Sequence, residues 1–319
     1  MDYIVMKFGG TATSTSKTRE KIVNIISKIK NKKILLVVSA MGRVGFPYAT
    51  DTLLNLIDTS ISSKKEVDEL LACGEIISSI VISNSLNQNN IKAQALSLKE
   101  IGLFFNNDFS FKNSKIIDKF SLYNVLVVPG FIALNDDENI VTLKRGGGDL
   151  SACVFAKFLN CSKVYLFKDV DGVLPFISPG YKNLKFIQHL NYEEASALSN
   201  INFKIIQQDA LDFALKNNIR IIVSNYESGK IGTIIGSISN NKRIIGMNFT
   251  KNSIKIATLY PSLVDEQIKK NLGNCHLFFK SFSINKNYVE YSLGVNQLQL
   301  AKKMLIDILK ITCIKKMLS

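Results

Sequence analysis

The sequence predicts a layered α/β domain followed by a small α+β domain of ferredoxin-like order. Three observations carry that expectation. Over the first 236 residues, short apolar runs alternate with amphipathic stretches, the pattern of a sheet covered by helices. Two glycine clusters sit at the joints of that pattern, Gly9-Gly10 straight after an apolar run and Gly146-Gly147-Gly148 straight before another. Beyond a polar, turn-rich stretch at 235–243, the element order changes to βαββαβ.

Each element has its own warrant. Tyr3-Ile4-Val5-Met6 reads as a buried first strand. Thr15 to Lys30 carries Ile22, Ile25, Ile26 and Ile29 on one face of a helix. Ile34 to Val38 is a buried strand. Glu66 to Leu86 is a longer helix with Cys73-Gly74-Glu75 inside it, where glycine is locally unfavourable. Val125 to Val128 and Lys163 to Phe167 are central strands. Tyr192 to Ser199 and Phe203 to Lys216 are helices, and Ile219 to Val223 is a strand. In the last part, Ser253 to Tyr260 is a strand and Ser262 to Leu272 a helix. His276 to Ile284 and Tyr288 to Leu293 are two strands around the turn Asn285-Lys286-Asn287. Gln297 to Leu309 is a helix, with a last strand to follow. The domain boundaries are 1–236 and 243–319.

The glycine clusters suggest chemistry. Two glycines after a strand let the backbone approach a ligand without a Cβ in the way, and the free N–H groups of such a turn suit phosphate oxygens. Lys7 adds a point charge beside them. In Arg145-Gly146-Gly147-Gly148-Asp149, Asp149 stands where a helix N-cap is expected, the glycines open a pocket at the helix's positive end, and Arg145 offers a planar fork for a carboxylate or phosphate.

Composition narrows the class. The 319 residues are 46% hydrophobic and 21% charged, as in a soluble globular enzyme. No apolar run reads as a membrane span and no signal peptide is expected. The five cysteines (Cys73, Cys153, Cys161, Cys275, Cys313) are scattered without metal-ligand spacing and read as free thiols of a reducing cytoplasm. The formal charge is +14, but the lysines are spread along the chain without interleaved aromatic residues. Nucleic-acid binding is therefore not expected.

An ordered set of motifs resembles the aspartate kinases of the amino acid kinase family. It runs from Lys7-Phe8-Gly9-Gly10-Thr11 through Val37-Val38-Ser39-Ala40-Met41-Gly42-Arg43 and Pro47-Tyr48-Ala49-Thr50-Asp51-Thr52-Leu53-Leu54. Then come Cys73-Gly74-Glu75, Pro129-Gly130-Phe131, Arg145-Gly146-Gly147-Gly148-Asp149 and Lys168-Asp169-Val170-Asp171-Gly172-Val173. The segment Pro47 to Leu54 looks like the monofunctional members. The resemblance covers about residues 1–236 and implies an amino acid kinase-like α/β/α sandwich. It also makes the C-terminal module look like a single ACT regulatory or dimerisation domain, where relatives usually carry two.

The resemblance further implies roles. Lys7, Asp149 and Lys204 would be catalytic, Lys7 facing the transferring phosphoryl group and Asp149 holding the active-site lysines. Glu75 would meet the ammonium of aspartate and Arg145 its α-carboxylate, with Ser39, Thr50 and Phe131 as further substrate contacts. The nucleotide would be bound by Lys7, Gly9, Gly10, Gly147, Lys168, Asp169, Asp171, Gly172, Val173 and Lys204. ATP and Mg2+ are the implied cofactors, with no dedicated metal cage in the chain. A cytoplasmic homodimer joined through the ACT-like module is implied, without nucleic acid or membrane.

Some positions depart from the family pattern. Ala12 and Gly148 stand where serines are usual, Ile177-Ser178-Pro179-Gly180 replaces a segment with a phosphate-facing arginine, and Phe203, Gln207 and Gln208 replace Gly, His and Pro. A degenerate homologue serving as a regulatory or amino-acid-binding subunit is the alternative reading.

Overall fold

The computed structural model describes residues 2–144, 146–176, 185–203, 206–239, 242–273, 281–292, 297 and 299–306. It divides into two compact units, Met1–Gly172 with Ile206–Ile234, and Val173–Ile205 with Ile235–Ser319. The chain therefore leaves the first unit after Gly172, returns at Ile206 and leaves again after Ile234. A single boundary between 236 and 243 does not anticipate that excursion.

Along the chain, β1 (Tyr3–Phe8), α1 (Gly10–Thr13), α2 (Ser16–Ser27), β2 (Lys33–Val38), α3 (Thr50–Leu54) and α4 (Lys64–Gln88) come first. There follow β3 (Ala93–Ala95), α5 (Leu98–Ile101), β4 (Leu103–Asn106), β5 (Asp108–Phe111), α6 (Ile116–Leu122) and β6 (Val125–Pro129). Next are β7 (Ile132–Leu134), β8 (Ile140–Thr142), α7 (Gly147–Phe158), β9 (Lys163–Lys168), β10 (His189–Asn191) and α8 (Tyr192–Asn200). The chain continues with α9 (Gln208–Lys216), β11 (Arg220–Asn225), β12 (Ile231–Gly236), β13 (Gly246–Phe249) and β14 (Ser253–Ala257). It ends in α10 (Pro261–Gly273), β15 (Ser281–Ile284), β16 (Tyr288–Ser292) and a helical stretch at 299–306.

In the first unit a sheet runs in the order β12-β11-β9-β1-β2-β6-β3. The pairs β11/β9, β9/β1, β1/β2, β2/β6 and β6/β3 are all parallel. Its central strands are buried on both faces, as a parallel sheet requires. On one face, Ile22, Val23 and Ile26 of α2 and Ile82 and Leu86 of α4 pack with Met6, Phe8, Leu36, Val38 and Val127. The other face carries α7. Helix α2 opens with a capping box, Thr15 with Thr18, and α4 with another, Ser63 with Glu66, so both starts are encoded locally.

Helix α4 is long and apolar enough by length and composition to cross a membrane, which the sequence reading does not foresee. Ten of its residues, from Asp68 to Leu86, are buried in the unit, which is the behaviour of a core helix. The sequence reading also leaves Leu86 to Val125 unassigned, whereas β4 and β5 from this stretch join β7 and β8 in a second sheet of order β5-β4-β7-β8. These strands have only three or four residues each, too short for a period-2 signal. Helix α9 begins at Gln208, not Phe203: Phe203 belongs to the second unit and the helix to the first.

The second unit holds an antiparallel sheet of order β13-β14-β16-β15. The βαββαβ order reserves the edge beside β14 for the last strand. That edge is taken by β13, a strand the sequence reading misses; the expected last strand lies outside the described residues, as do 276–280 of the expected strand His276 to Ile284. Ile254, Ile256, Val264, Ile268, Val289, Tyr291, Ala301 and Leu305 form the core. The excursion from 173 to 203 is stitched to β13: Met247 N–H donates to Pro175 O at 2.8 Å and Asn248 Nδ2 to Ile201 O at 2.6 Å.

Candidate active site

Three adjacent parallel strands, β9, β1 and β2, end side by side, with Phe8 level with Phe167 and with Val38. Side chains alternate across a strand. Phe8 therefore turns to the α2/α4 face, where its ring stacks on that of Phe167 at 4.3 Å, while Lys7 turns to the α7 face. There its Nζ lies 3.0 Å from Asp149 Oδ1, and Lys168 Nζ lies 2.6 Å from Asp149 Oδ2. One buried carboxylate thus carries two ammonium groups, one on each oxygen. Burial alone would raise the Asp149 carboxyl, but the charges of Lys168 and Lys7 outweigh it and hold it below the ordinary carboxylate range. Burial also holds the Lys168 ammonium below its usual value, against the pull of Asp149.

Asp149 is not the N-cap of its helix. Gly146 takes that place with φ 89°, a left-handed conformation, and α7 begins at Gly147. The helix starts early because its first residues run through space that a side chain would overfill: a Cβ on Gly147 would lie 2.5 Å from Leu143 Cβ. Asp149 falls in the first turn, free to reach the lysines. At Gly148, a Cβ would stand 3.2 Å from Lys7 Cε and 3.3 Å from Ser39 Oγ. The glycine turn after β1 is equally tight, since a Cβ on Gly10 would lie 2.5 Å from Gly42 O. Gly9 is near Lys7 Nζ, 3.7 Å from where its Cβ would be.

Glu75 is buried on α4. Burial pushes its carboxyl up to about 8, against the Ala40 N–H that it accepts and the nearby charge of Lys7. Its Oε2 has no hydrogen-bond partner among the described residues. A buried polar atom without a partner costs about 1–3 kcal/mol, so this oxygen is poised for an outside donor. The helix passes close at this point because Gly74 has no side chain; a Cβ there would sit 2.7 Å from Tyr48 O.

The other expected residues divide into those near this cluster and those elsewhere. Ser39 follows β2, its N–H donating to Phe8 O at 3.1 Å. Thr50 opens α3. Phe131 has φ 67°, and its N–H donates to Ser151 Oγ at 3.0 Å, which anchors it to α7 beside Gly147. Asp169 pairs with Arg43, and Asp171 accepts from Asn225 Nδ2 at 2.7 Å. Gly172 ends the first unit, and Val173 belongs to the second, where it bridges to Ile187. Arg145 and Lys204 lie outside the described residues. The sequence reading misses Ala40 as the donor to Glu75, and gives no role to Arg43, whose Nη2 lies 2.8 Å from Asp169 and whose Nε donates to Thr11 Oγ1 at 3.1 Å.

The sequence model of the amino acid kinase family matches residues 2–225. The chain belongs to the amino acid kinase family. Within it, the chain is 31% identical to aspartokinase 1 of Bacillus subtilis, over 96% of this chain and 81% of that protein. It is 27% identical to the aspartokinase of Rickettsia felis, over 93% of this chain and 77% of that one. The fold matches the crystal structure of Escherichia coli aspartokinase III in complex with aspartate and ADP, with a TM-score of 0.64 at 17% identity, covering 92% of this chain and 78% of that one.

Proposed function

We propose that this protein is an aspartate kinase, which transfers the γ-phosphoryl group of ATP to the side-chain carboxylate of L-aspartate and so forms 4-phospho-L-aspartate. The observation that carries the reading is the sharing of Asp149 by Lys7 and Lys168 beside two glycine-rich backbone turns. Two ammonium groups on one carboxylate leave a positive surplus, which suits a transferring phosphoryl group. The similarity to aspartokinases along most of the chain selects the acceptor.

The chemistry asks little of the protein beyond placement and charge. An aspartate side chain has a pKa of about 3.9, so the nucleophile is already ionised and no general base is required. Lys7 and Lys168 stabilise the charge that spreads over the phosphoryl oxygens, and Asp149 holds both in position. Glu75 accepts the substrate ammonium, and the cation draws its carboxyl into the ionised form. Arg145 would take the α-carboxylate, with Ser39, Thr50 and Phe131 around the substrate and Lys204 on the nucleotide, as the family resemblance implies. Among the described residues no three His, Cys, Asp or Glu side chains converge. Magnesium would enter as part of the MgATP substrate, held by phosphates and water.

Residues 243–319 are read as one ACT-like module that pairs with a second copy, in a cytoplasmic enzyme serving the lysine, threonine and methionine branch of amino-acid synthesis. Exposed Phe282 and Ile284 on β15, at the end of the sheet order, support that pairing. Light scattering of the purified protein should give twice the chain mass.

The deciding assay is purified protein with ATP, magnesium and aspartate, the acyl phosphate being trapped by hydroxylamine. Aspartyl hydroxamate is expected, with glutamate a far poorer acceptor because one methylene shifts the nucleophile out of line. Absence of product at high ATP and aspartate sinks the reading.

A further inference from the structure

Arg43 is a cation at this edge of the sheet to which the mechanism above gives no role. It follows β2, and its backbone is held at the glycine turn by Gly42 N–H donating to Gly10 O at 2.9 Å. From there the side chain reaches over the end of β1 to Thr11 and on to Asp169 past the end of β9. The guanidinium therefore lies across the carboxyl ends of three neighbouring parallel strands, the edge where open α/β sheets bind ligands. Its side chain is 71% exposed and that of Asp169 46% exposed. An ion pair so exposed contributes little and exchanges readily. Nε and Nη2 are engaged, while Nη1 has no partner among the described residues. Lys7 and Lys168, by contrast, are already committed to a buried carboxylate.

We propose that Arg43 is a phosphate-binding residue of the active site, which exchanges Asp169 for the phosphate chain of the bound nucleotide while its backbone stays fixed at the glycine turn. A planar fork that leaves one exposed carboxylate for a polyphosphate gains charge and keeps its geometry. The inference rests on the ATP-dependent reading given above, and it adds a further cation, approaching from the β2 side.

The test is calorimetric titration of MgATP, MgADP and adenosine into the wild-type protein and into Arg43→Ala, Arg43→Lys, Asp169→Asn and the Arg43→Ala/Asp169→Asn double variant. Loss of hydrogen bonds to a charged group predicts about 10- to 100-fold weaker MgATP binding by Arg43→Ala. Adenosine binding should not change, and Arg43→Lys should recover part of the loss. The loss should persist when Asp169 is already Asn, which separates contact with phosphate from mere support of Asp169. Wild-type affinity for MgATP in Arg43→Ala overturns the proposal, as does an equal loss for adenosine or a loss that vanishes in the Asp169→Asn background. Hydroxamate formation is measured alongside. A wild-type protein that makes no aspartyl hydroxamate, yet binds MgATP through Arg43, refutes the aspartate kinase reading and leaves this one standing.

Discussion

A buried carboxylate beside a lysine occurs in each unit, Asp149 in the first and Asp265 in the second, and these two are put to different use. In the second unit, Asp265 accepts from the Tyr291 hydroxyl at 2.8 Å and pairs with Lys269 at 2.8 Å, while Lys269 lies 3.5 Å from the centre of the Phe282 ring. Every charge there is answered: one anion, one cation and a neutral donor. In the first unit, Asp149 faces two cations, with no neutral donor between them among the described residues, at the ends of parallel strands. The lesson is one of surplus. A buried carboxylate whose partners balance it is part of the core, and one whose partners exceed it leaves charge for a ligand.

The largest test of that contrast is Lys7→Ala. It removes the whole surplus, leaving one cation on one carboxylate, and should lower turnover by about 10²- to 10³-fold, the cost of losing one preorganised electrostatic contact. The apparent aspartate constant should move far less. Turnover within twofold of wild type would mean that the surplus does not act on the reaction.

Next in size is the pH dependence of aspartate binding. Glu75 is protonated in the ligand-free protein below about 8, and it must ionise to hold an ammonium. Aspartate affinity should therefore rise with pH, by up to about tenfold per unit, and level off above that value. The same group makes the ligand-free protein less stable as pH rises. Its folded pKa lies above the unfolded one, so its neutral burial is fully tolerated at low pH, and the unfolded state gains on ionising as pH rises toward 8. Glu75→Gln should flatten the pH dependence of thermal stability and weaken aspartate binding. A flat wild-type profile between pH 5 and 8 in both measurements would refute this account.

Tyr291→Phe addresses the balanced carboxylate. It leaves an oxygen of Asp265 without its donor and should cost about 1–3 kcal/mol in denaturant unfolding. Turnover of the folded variant should stay at the wild-type level. A large loss of turnover at unchanged stability would give the second unit a direct part in the reaction. The smallest effect is expected from Lys269→Met, which keeps an unbranched stem over Phe282 and loses an ion pair on a partly exposed lysine. Less than about 1 kcal/mol of stability should go, with no change in activity.

What could be read from the sequence was whatever is local. The strand before Gly9-Gly10, the amphipathic face of α2 and the capping boxes of α2 and α4 are written within a few consecutive residues, so pattern and turn chemistry suffice. The succession β14, α10, β15, β16 and the helical stretch at 299–306 was legible for the same reason, and β13 was not, because nothing in four residues says which edge they will pair with. Lys7, Glu75, Asp149 and Lys168 could each be singled out by their neighbours, yet not their mutual arrangement. That both lysines would share Asp149 follows from the parallel register of β1 and β9 beneath α7, across a separation of more than a hundred residues between Lys7 and its partner. Burial raises the Glu75 carboxyl, and the close approach of α4 to Tyr48 that Gly74 allows is part of that burial. Arg43 gained Asp169 because β2 lies on the far side of β1 from β9. Tertiary structure decided these things because charge, burial and pKa depend on distance in space, which chain order does not carry.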